Sequence, residues 1–418
     1  MKYDVNDRIL KIKLPERIFT DNIEQFNTEL SSIPILGDLS EVVFDAEELS
    51  QISSVGLRSL LAFKKKNVIP IRISELSLEI YNIFEMTGFT GLFTCEKALR
   101  YIDISGLKEL GRGMYGSVYK VDDEKILKVF HGVTAKNKLD EILENVREAV
   151  VKGIPTILPF ETVRTDLGLG MEFELLNSQC LADMIHEDTS SMEYYVQKMA
   201  DLASLMATTE FKGGTIQYRD DMLAKEFEDA NFVLSDEEIK ELIGYIREVP
   251  RRNTAVHGDF HARNVYMSDG EAMLIDMDDF CLGHPVWDIA CLYRVYPYMI
   301  ELDKDTVKKL FELEEGSSYQ DFYYMVMHLY PEEGRQLWEL FVKQYFAAYS
   351  DKDIEEFIKT ARFYSDLMVI RFVIDQCRKN KDNHQKLEEK HEFIREIIEG
   401  MRADKKPDRI SHLTKWGK

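Results

Sequence analysis

One stretch constrains this chain more than any other: His257-Gly258-Asp259-Phe260-His261-Ala262-Arg263-Asn264, followed by Leu274-Ile275-Asp276-Met277-Asp278-Asp279. A polar turn with Asp and Asn five residues apart, and then a short apolar run that ends in Asp, suits phosphoryl transfer. Asp259 can orient an attacking hydroxyl and accept its proton late, while Asn264 and Asp276 offer the hard oxygen ligands that Mg²⁺ prefers. His257 and His261 flank Asp259 two residues away on either side. With no further His or Cys beside them, they are expected to hold the loop through hydrogen bonds rather than to bind metal.

Two upstream features complete the set. Gly111-Arg112-Gly113-Met114-Tyr115-Gly116-Ser117-Val118 has the G-x-G-x-x-G spacing that dinucleotide sites and plain hairpins share. The β-branched Val118 carries the chain on into a strand, whereas a dinucleotide fingerprint opens a helix. Gly111, Gly113, Gly116 and Val118 therefore read as a loop over phosphates, its amides unobstructed by Cβ atoms. Ten residues beyond Val118, Ile126-Leu127-Lys128-Val129-Phe130 sets one Lys in an apolar strand. Such an ammonium needs an anionic partner or must reach water. ATP phosphates and a helix Glu are natural partners, and the charged helix expected over 137–152 offers Glu141, Glu144 and Glu148, of which Glu144 is favoured.

The first hundred residues follow a different pattern. Arg8 to Leu14 alternates with period two, Val42-Val43-Phe44 is a short apolar run, and Ile69 to Ile73 supplies a third strand. Helical spacing falls near 21–31, 55–66 and Leu78 to Met86, the last ending at Gly88. Ser53-Ser54 stands where a helix N-cap belongs. Alternating strands and helices imply a compact α/β unit.

Charge and cysteine content exclude several classes. The chain has 75 acidic against 53 basic residues, a net of −22, so a nucleic-acid partner is not expected. Five scattered Cys (Cys95, Cys180, Cys281, Cys291, Cys377) form no C-x-x-C pair, which argues against a disulfide scaffold and fits a reducing compartment. Cys281 and Cys291 read as buried thiols. The start of the chain has no apolar signal region and no stretch approaches a bilayer span, so a soluble, cytoplasmic chain with no membrane partner is expected. Beyond Asp288 the sequence becomes helical and aromatic. Tyr293, Tyr296, Tyr298, Tyr323, Tyr324, Phe341 and Tyr345 suit either a cation-binding surface or, at helical spacing, a core. From Arg378 onward the chain reads as a solvated helix and a ragged, basic end.

Residues 107–400 resemble the aminoglycoside phosphotransferase and choline kinase superfamily, which has a protein-kinase-like fold. His257 to Asn264 matches its H-G-D-x-x-x-x-N loop, Ile275 to Asp279 stands in place of D-F-G, and Gly283 to Ala290 is similar to G-x-P-x-x-D-L-A, whose Asp is chiefly structural. The resemblance implies Asp259 as catalytic base, Asn264 and Asp276 as magnesium ligands, and Lys128 on the nucleotide phosphates. It also implies a hinge at Phe173-Glu174-Leu175-Leu176, where Glu174 and Leu175 meet adenine through backbone groups. No A-P-E segment is present, unlike conventional protein kinases. Residues 1–103 resemble a STAS domain of the anti-sigma-factor-antagonist type, on Phe44-Asp45, Ile52 to Leu57, and Ile80 to Phe93. In that family a Ser at the helix start is switched by phosphorylation, and Ser54 is the matching position.

The expected architecture is therefore two-domain: an N-terminal α/β STAS-like domain (1–103), then an α+β bilobal kinase-like domain with an N-lobe at 107–175, a large helical C-lobe at 176–400, and a basic tail at 401–418. The expected activity is ATP- (or GTP-) and Mg²⁺-dependent phosphotransfer to a hydroxyl of a small molecule, including cationic aminoglycoside-, choline- or sugar-like acceptors. Two alternatives accompany it. One is a kinase acting on a protein Ser or Thr in STAS-type partner switching, and the other is a non-catalytic nucleotide-binding scaffold, either of which would engage a protein partner through the STAS-like unit.

Overall fold

The computed structural model describes the chain apart from residues 36, 114–115, 133–134, 213, 312, 314–317, 380–383, 405–408 and 417–418. It divides into two compact units, Met1–Ile104 with Val163–Asp166, and Ser105–Thr162 with Leu167–Lys418.

The first unit is a five-stranded sheet ordered Tyr3–Asn6, Ile9–Lys13, Glu41–Asp45, Ile71–Leu76 and Thr94–Lys97. The first pair is antiparallel and the remaining neighbours are parallel. Alternation in Ile9–Lys13 puts Leu10 and Ile12 wholly inside, where they join Phe44, Leu60, Ile73 and Phe84 in one apolar core. Helices Ile23–Ser32, Ser54–Lys66 and Leu78–Met86 fall where periodicity expects them. The antiparallel edge has no glycine signal. Its turn is Asp7-Arg8, both left-handed at φ 47° and 66°, the conformation that matches hairpin twist.

The second unit begins with a sheet in the order Pro159–Thr165, Gly168–Glu174, Lys125–Phe130, Gly116–Lys120, Lys108–Arg112. Lys128 lies on its central strand, opposite Val118 on one neighbour and Met171 on the other. One helix, Lys136–Val151, accompanies the sheet, and the rest of the unit is mainly helical around buried Trp287, Tyr296, Tyr323 and Tyr364.

The expectation of a ragged basic end needs correction. Helix Arg409–Lys415 follows Ala403, and Leu413 and Trp416 are fully buried. Trp416 packs edge-on against Phe346 and His284, and the Leu413 carbonyl accepts a hydrogen bond from His284 Nε2 at 2.9 Å. Two large apolar side chains three residues apart bury one face of this turn despite its charge. Residues 405–408 and 417–418 of the tail lie outside the described residues. No described helix is long and apolar enough to cross a membrane.

Candidate active site

The loop that carries Asp259 is fixed from below by one carboxylate. The backbone N–H groups of His257 and Gly258 donate to Asp288 Oδ2 and Oδ1, both at 2.9 Å, and Asp288 is only 4% exposed. Burial pushes its pKa up against the pull of His257 and these amides, and the two bonds satisfy a charge that the interior would otherwise exclude. His257 accepts from the Asp259 amide at 3.2 Å through Nδ1 and donates to the Ile275 carbonyl at 2.9 Å through Nε2. It thus ties the loop to the strand end before Asp276 and behaves as the sequence implies.

Gly258 sits at φ +86°, where a Cβ would stand 2.7 Å from the Asp279 carbonyl oxygen. Only glycine fits that close approach. The carbonyl of Gly258 accepts from Arg219 Nη2 at 3.1 Å, and Arg219 is fully buried beside Asp279, which also meets Arg371 at 2.8 Å.

Above this platform Asp259 is half-buried. Arg294 Nη2 donates to its Oδ1 at 2.8 Å, and His261 Nε2 lies 3.4 Å from Oδ2. Burial opposes ionisation, but His261, Arg294 and His257 hold the Asp259 carboxyl far below the usual carboxylate range. Arg294 opens a π-helical turn, Arg294–Tyr298, that contains Pro297. In the same turn the Tyr296 hydroxyl accepts from the Ala262 amide at 3.0 Å. Asn264, buried at 7% exposure, donates from Nδ2 to the Asp259 carbonyl at 2.9 Å, which leaves its amide oxygen as the free ligand atom.

Residues far apart in the chain meet here. Lys128 Nζ donates to Asp276 Oδ1 and to Asp278 Oδ2, both at 2.6 Å, across 148 and 150 positions of sequence. Asp276 is left-handed at φ 58° and ψ 55°, one of the few non-glycine residues in that region. Burial would drive the Lys128 pKa down, but Asp276 and Asp278 outweigh it and push the value up. Asp278 goes the other way from a normal carboxyl. Burial, helped by repulsion from Asp276 and Asp279 and opposed by Lys128, pushes it up to about 6.

The structure does not join Glu144 to Lys128. Glu144 is exposed on the outer face of helix Lys136–Val151 and pairs with Arg147 at 2.9 Å, while Glu141 accepts from Gln217 at 2.7 Å. The rotation of the helix about its axis decides this, and Leu139, Ile142, Leu143 and Val146 set that rotation by turning inward. At the expected hinge two backbone donors are already engaged. The Glu174 amide donates to the Leu158 carbonyl at 3.0 Å and the Leu175 amide to the Glu124 carbonyl at 2.7 Å, so neither N–H is available to a purine edge.

Gly111 lies in strand Lys108–Arg112, and the Gly113 amide donates to the Gly116 carbonyl at 2.8 Å. A Cβ on Gly116 would stand 2.8 Å from the Val129 carbonyl, beside the Lys128 side chain. Val118 pairs with Lys128 in the sheet. Met114 and Tyr115 of this loop lie outside the described residues. Ser54 is exposed, because Ser53 is the cap: its Oγ accepts from the Gly56 amide at 3.4 Å. The aromatic set is mostly core, with Tyr293, Tyr296, Tyr323 and Phe341 buried. Cys281 and Cys291 are buried, and burial pushes both thiols up.

Sequence reasoning missed Arg294, Arg371, Arg219 and the contact of Asp278 with Lys128. Asp278 had a visible signal in the doubled Asp after Met277. The arginines had none, since each stands alone in its segment.

Comparison with known proteins adds the following. The pattern of the phosphotransferase enzyme family matches residues 106–353, more than half of the chain. The pattern of the STAS domain matches residues 1–102. Similar solved structures include a choline/ethanolamine kinase family protein from Mesorhizobium loti, 12% identical over 74% of this chain and 92% of that chain, at a TM-score of 0.45. Aminoglycoside phosphotransferase APH(2'')-Ib in its ADP-bound form is 15% identical over 77% of this chain and 99% of that chain, at a TM-score of 0.45. The GDP complex of wild-type aminoglycoside 2'-phosphotransferase-IIIa is 13% identical over 78% of this chain and 97% of that chain, at a TM-score of 0.42. No curated protein matches the sequence.

Proposed function

The chain belongs to the phosphotransferase enzyme family and carries a STAS domain at its N-terminal end, and from that premise we propose that it transfers the γ-phosphoryl group of ATP or GTP to a hydroxyl of a small molecule, with Mg²⁺ as cofactor. The observation that carries the reading is the meeting of Lys128 with Asp276 and Asp278 at 2.6 Å, within the unit that also holds Asp259 and Asn264. The donor set fits a hard divalent cation. Asn264 has only its amide oxygen to offer, and the Asp276 and Asp278 carboxylates converge on a single ammonium. Asn264 and Asp276 would hold Mg²⁺, with Asp278 as a further carboxylate within reach. Bound there, magnesium would supply positive charge that offsets the negative charge on the transferring group.

Lys128 supplies positive potential to the phosphates. Asp259 orients the acceptor hydroxyl toward phosphorus. Because His261 and Arg294 keep its carboxylate ionised and weakly basic, the hydroxyl proton moves to Asp259 late, after the new P–O bond has made that proton acidic. Arg294 is a positioning residue: it fixes the rotamer of Asp259.

A second reading, transfer to a protein Ser, draws on the exposed hydroxyl of Ser54, which Ser53 relieves of capping. Magnesium-dependent ATP turnover by the full chain tests catalysis. Asp259→Ala is expected to lower it by about a hundredfold to ten-thousandfold with folding intact, and unchanged turnover would remove Asp259 from its role. Labelled ATP with a panel of hydroxylated amines, beside the protein alone, separates the two acceptors. Label on the protein only, lost in Ser54→Ala, would overturn the small-molecule reading.

A further inference from the structure

Cys180, Asp183 and His328 form a second cluster of chemistry-bearing side chains that phosphotransfer does not use. Cys180 is the N-cap of helix Leu181–Glu187, Asp183 lies in its first turn, and His328 ends helix Tyr319–Met327. The Cys180 thiol donates to Asp183 Oδ2 at 3.0 Å, and His328 Nδ1 lies 2.7 Å from Asp183 Oδ1. One ligand atom from each, a sulfur, a carboxylate oxygen and a ring nitrogen, all lie within 4.8 Å of one another. A tetrahedral zinc ion with bonds of about 2.0–2.3 Å would hold such atoms roughly 3.3–3.8 Å apart. In that geometry the ion would replace the hydrogens that now join both partners to Asp183.

We propose that Cys180, Asp183 and His328 bind a zinc-class divalent cation at a site separate from Asn264 and Asp276. The donor set selects the ion: a thiolate and an imidazole suit zinc, whereas Mg²⁺ and Ca²⁺ take oxygen. On binding, the Cys180 thiol releases its proton to solvent, His328 coordinates through Nδ1 with its proton on Nε2, and Asp183 binds as the carboxylate. Water completes the fourth position, because His186, one turn further on, is engaged with Glu333 at 3.0 Å. Access is open, since the Asp183 and His328 side chains are 37% and 34% exposed.

His328 caps the C-terminal end of helix Tyr319–Met327 in the left-handed conformation at φ 57°, from which its ring reaches Asp183. The site would also reach the catalytic loop. Two residues before His328, the Val326 carbonyl accepts from Arg263 Nη1 at 2.5 Å, and Arg263 lies between Asp259 and Asn264 in that loop. A cation joining His328 to Asp183 would steady this strut.

The test uses the full chain, stripped with a chelator and titrated with Zn²⁺ in excess Mg²⁺ by calorimetry. One equivalent should bind, and Cys180→Ser and His328→Gln should each weaken it by at least about tenfold. Absence of binding, or equal affinity in parent and both variants, would overturn the site. Should either variant unfold, the unmodified chain decides alone. Co²⁺ in place of zinc should give a thiolate-to-cobalt absorption band, and zinc-edge X-ray absorption should find one sulfur among lighter ligands. A shell of nitrogen and oxygen only would end the proposal.

Discussion

Arg72 in the STAS domain and Arg219 in the phosphotransferase unit sit in opposite settings, one in a part-exposed ion-pair triad on the sheet and the other wholly inside. Arg72 bridges Glu41 and Glu96 at 2.9 and 3.0 Å with all three side chains a quarter to a third exposed, over a core that is apolar. In the other unit Arg219 and His257 are fully buried, Asp288 nearly so, and each answers to the backbone of the loop around Gly258. Part-exposed pairs are screened and contribute little. A buried charge is costly unless each of its bonds is made, so its presence marks a backbone that must be held in one shape. The contrast separates a screened pair on one sheet from a charge held against the backbone of the Gly258 loop.

Four substitutions test that contrast, beginning with the largest effect. Asp288→Ala leaves two buried amides without an acceptor and should destabilise the phosphotransferase unit by about 3–5 kcal/mol, read from urea unfolding. A change below about 1 kcal/mol would mean that the loop does not depend on this clamp. Gly258→Ala forces a Cβ toward the Asp279 carbonyl at φ +86° and should cost about 1–3 kcal/mol of strain. Its kcat should fall more than its KM rises, because the displaced group is Asp259; an undisturbed kcat would count against a rigid loop.

Asp278→Asn addresses pH. With the carboxyl pushed up to about 6, the parent should lose kcat/KM as pH falls below that value and the group takes up a proton. The asparagine variant should be slower but lack this limb, and a limb that persists would assign it to another group. The sign for stability is opposite. A folded pKa above the unfolded one means that Asp278 favours folding less as pH rises from about 4 to 6. Smallest of all, Arg72→Ala should shift unfolding of the STAS domain by at most about 1 kcal/mol, less in high salt. A loss of several would erase the distinction between part-exposed pair and interior.

The tight loop from His257 to Asn264 was legible because its information is local. Asp259, Asn264 and Asp276 are read from residue type and spacing, and Lys128 stands out as the one charge within the run Ile126 to Phe130. Glu144 was not, because three acidic residues on one helix differ only by the helix's rotation, which packing of Leu139 and Val146 determines. At Glu174 and Leu175 the sequence did not reveal that the Leu158 and Glu124 carbonyls take up both amides. In the STAS domain the strands and helices followed periodicity, while the Asp7-Arg8 hairpin went unseen for lack of a glycine. Arg294 had no signal because its partner lies 35 positions earlier.

The π turn at Arg294–Tyr298 makes the active site sensitive to chain length as well as to side-chain identity. Such a turn forms when a helix accommodates one surplus residue. Removing a residue there would close the turn to ordinary α geometry and displace Tyr296, which lies within it, relative to the helix upstream. Asp288 upstream grips the His257 and Gly258 amides while Tyr296 downstream grips Ala262, and after such a deletion the two grips could not be satisfied together. Variation among natural versions of this enzyme should therefore tolerate exchanges of residue type across 294–298 more readily than any gap.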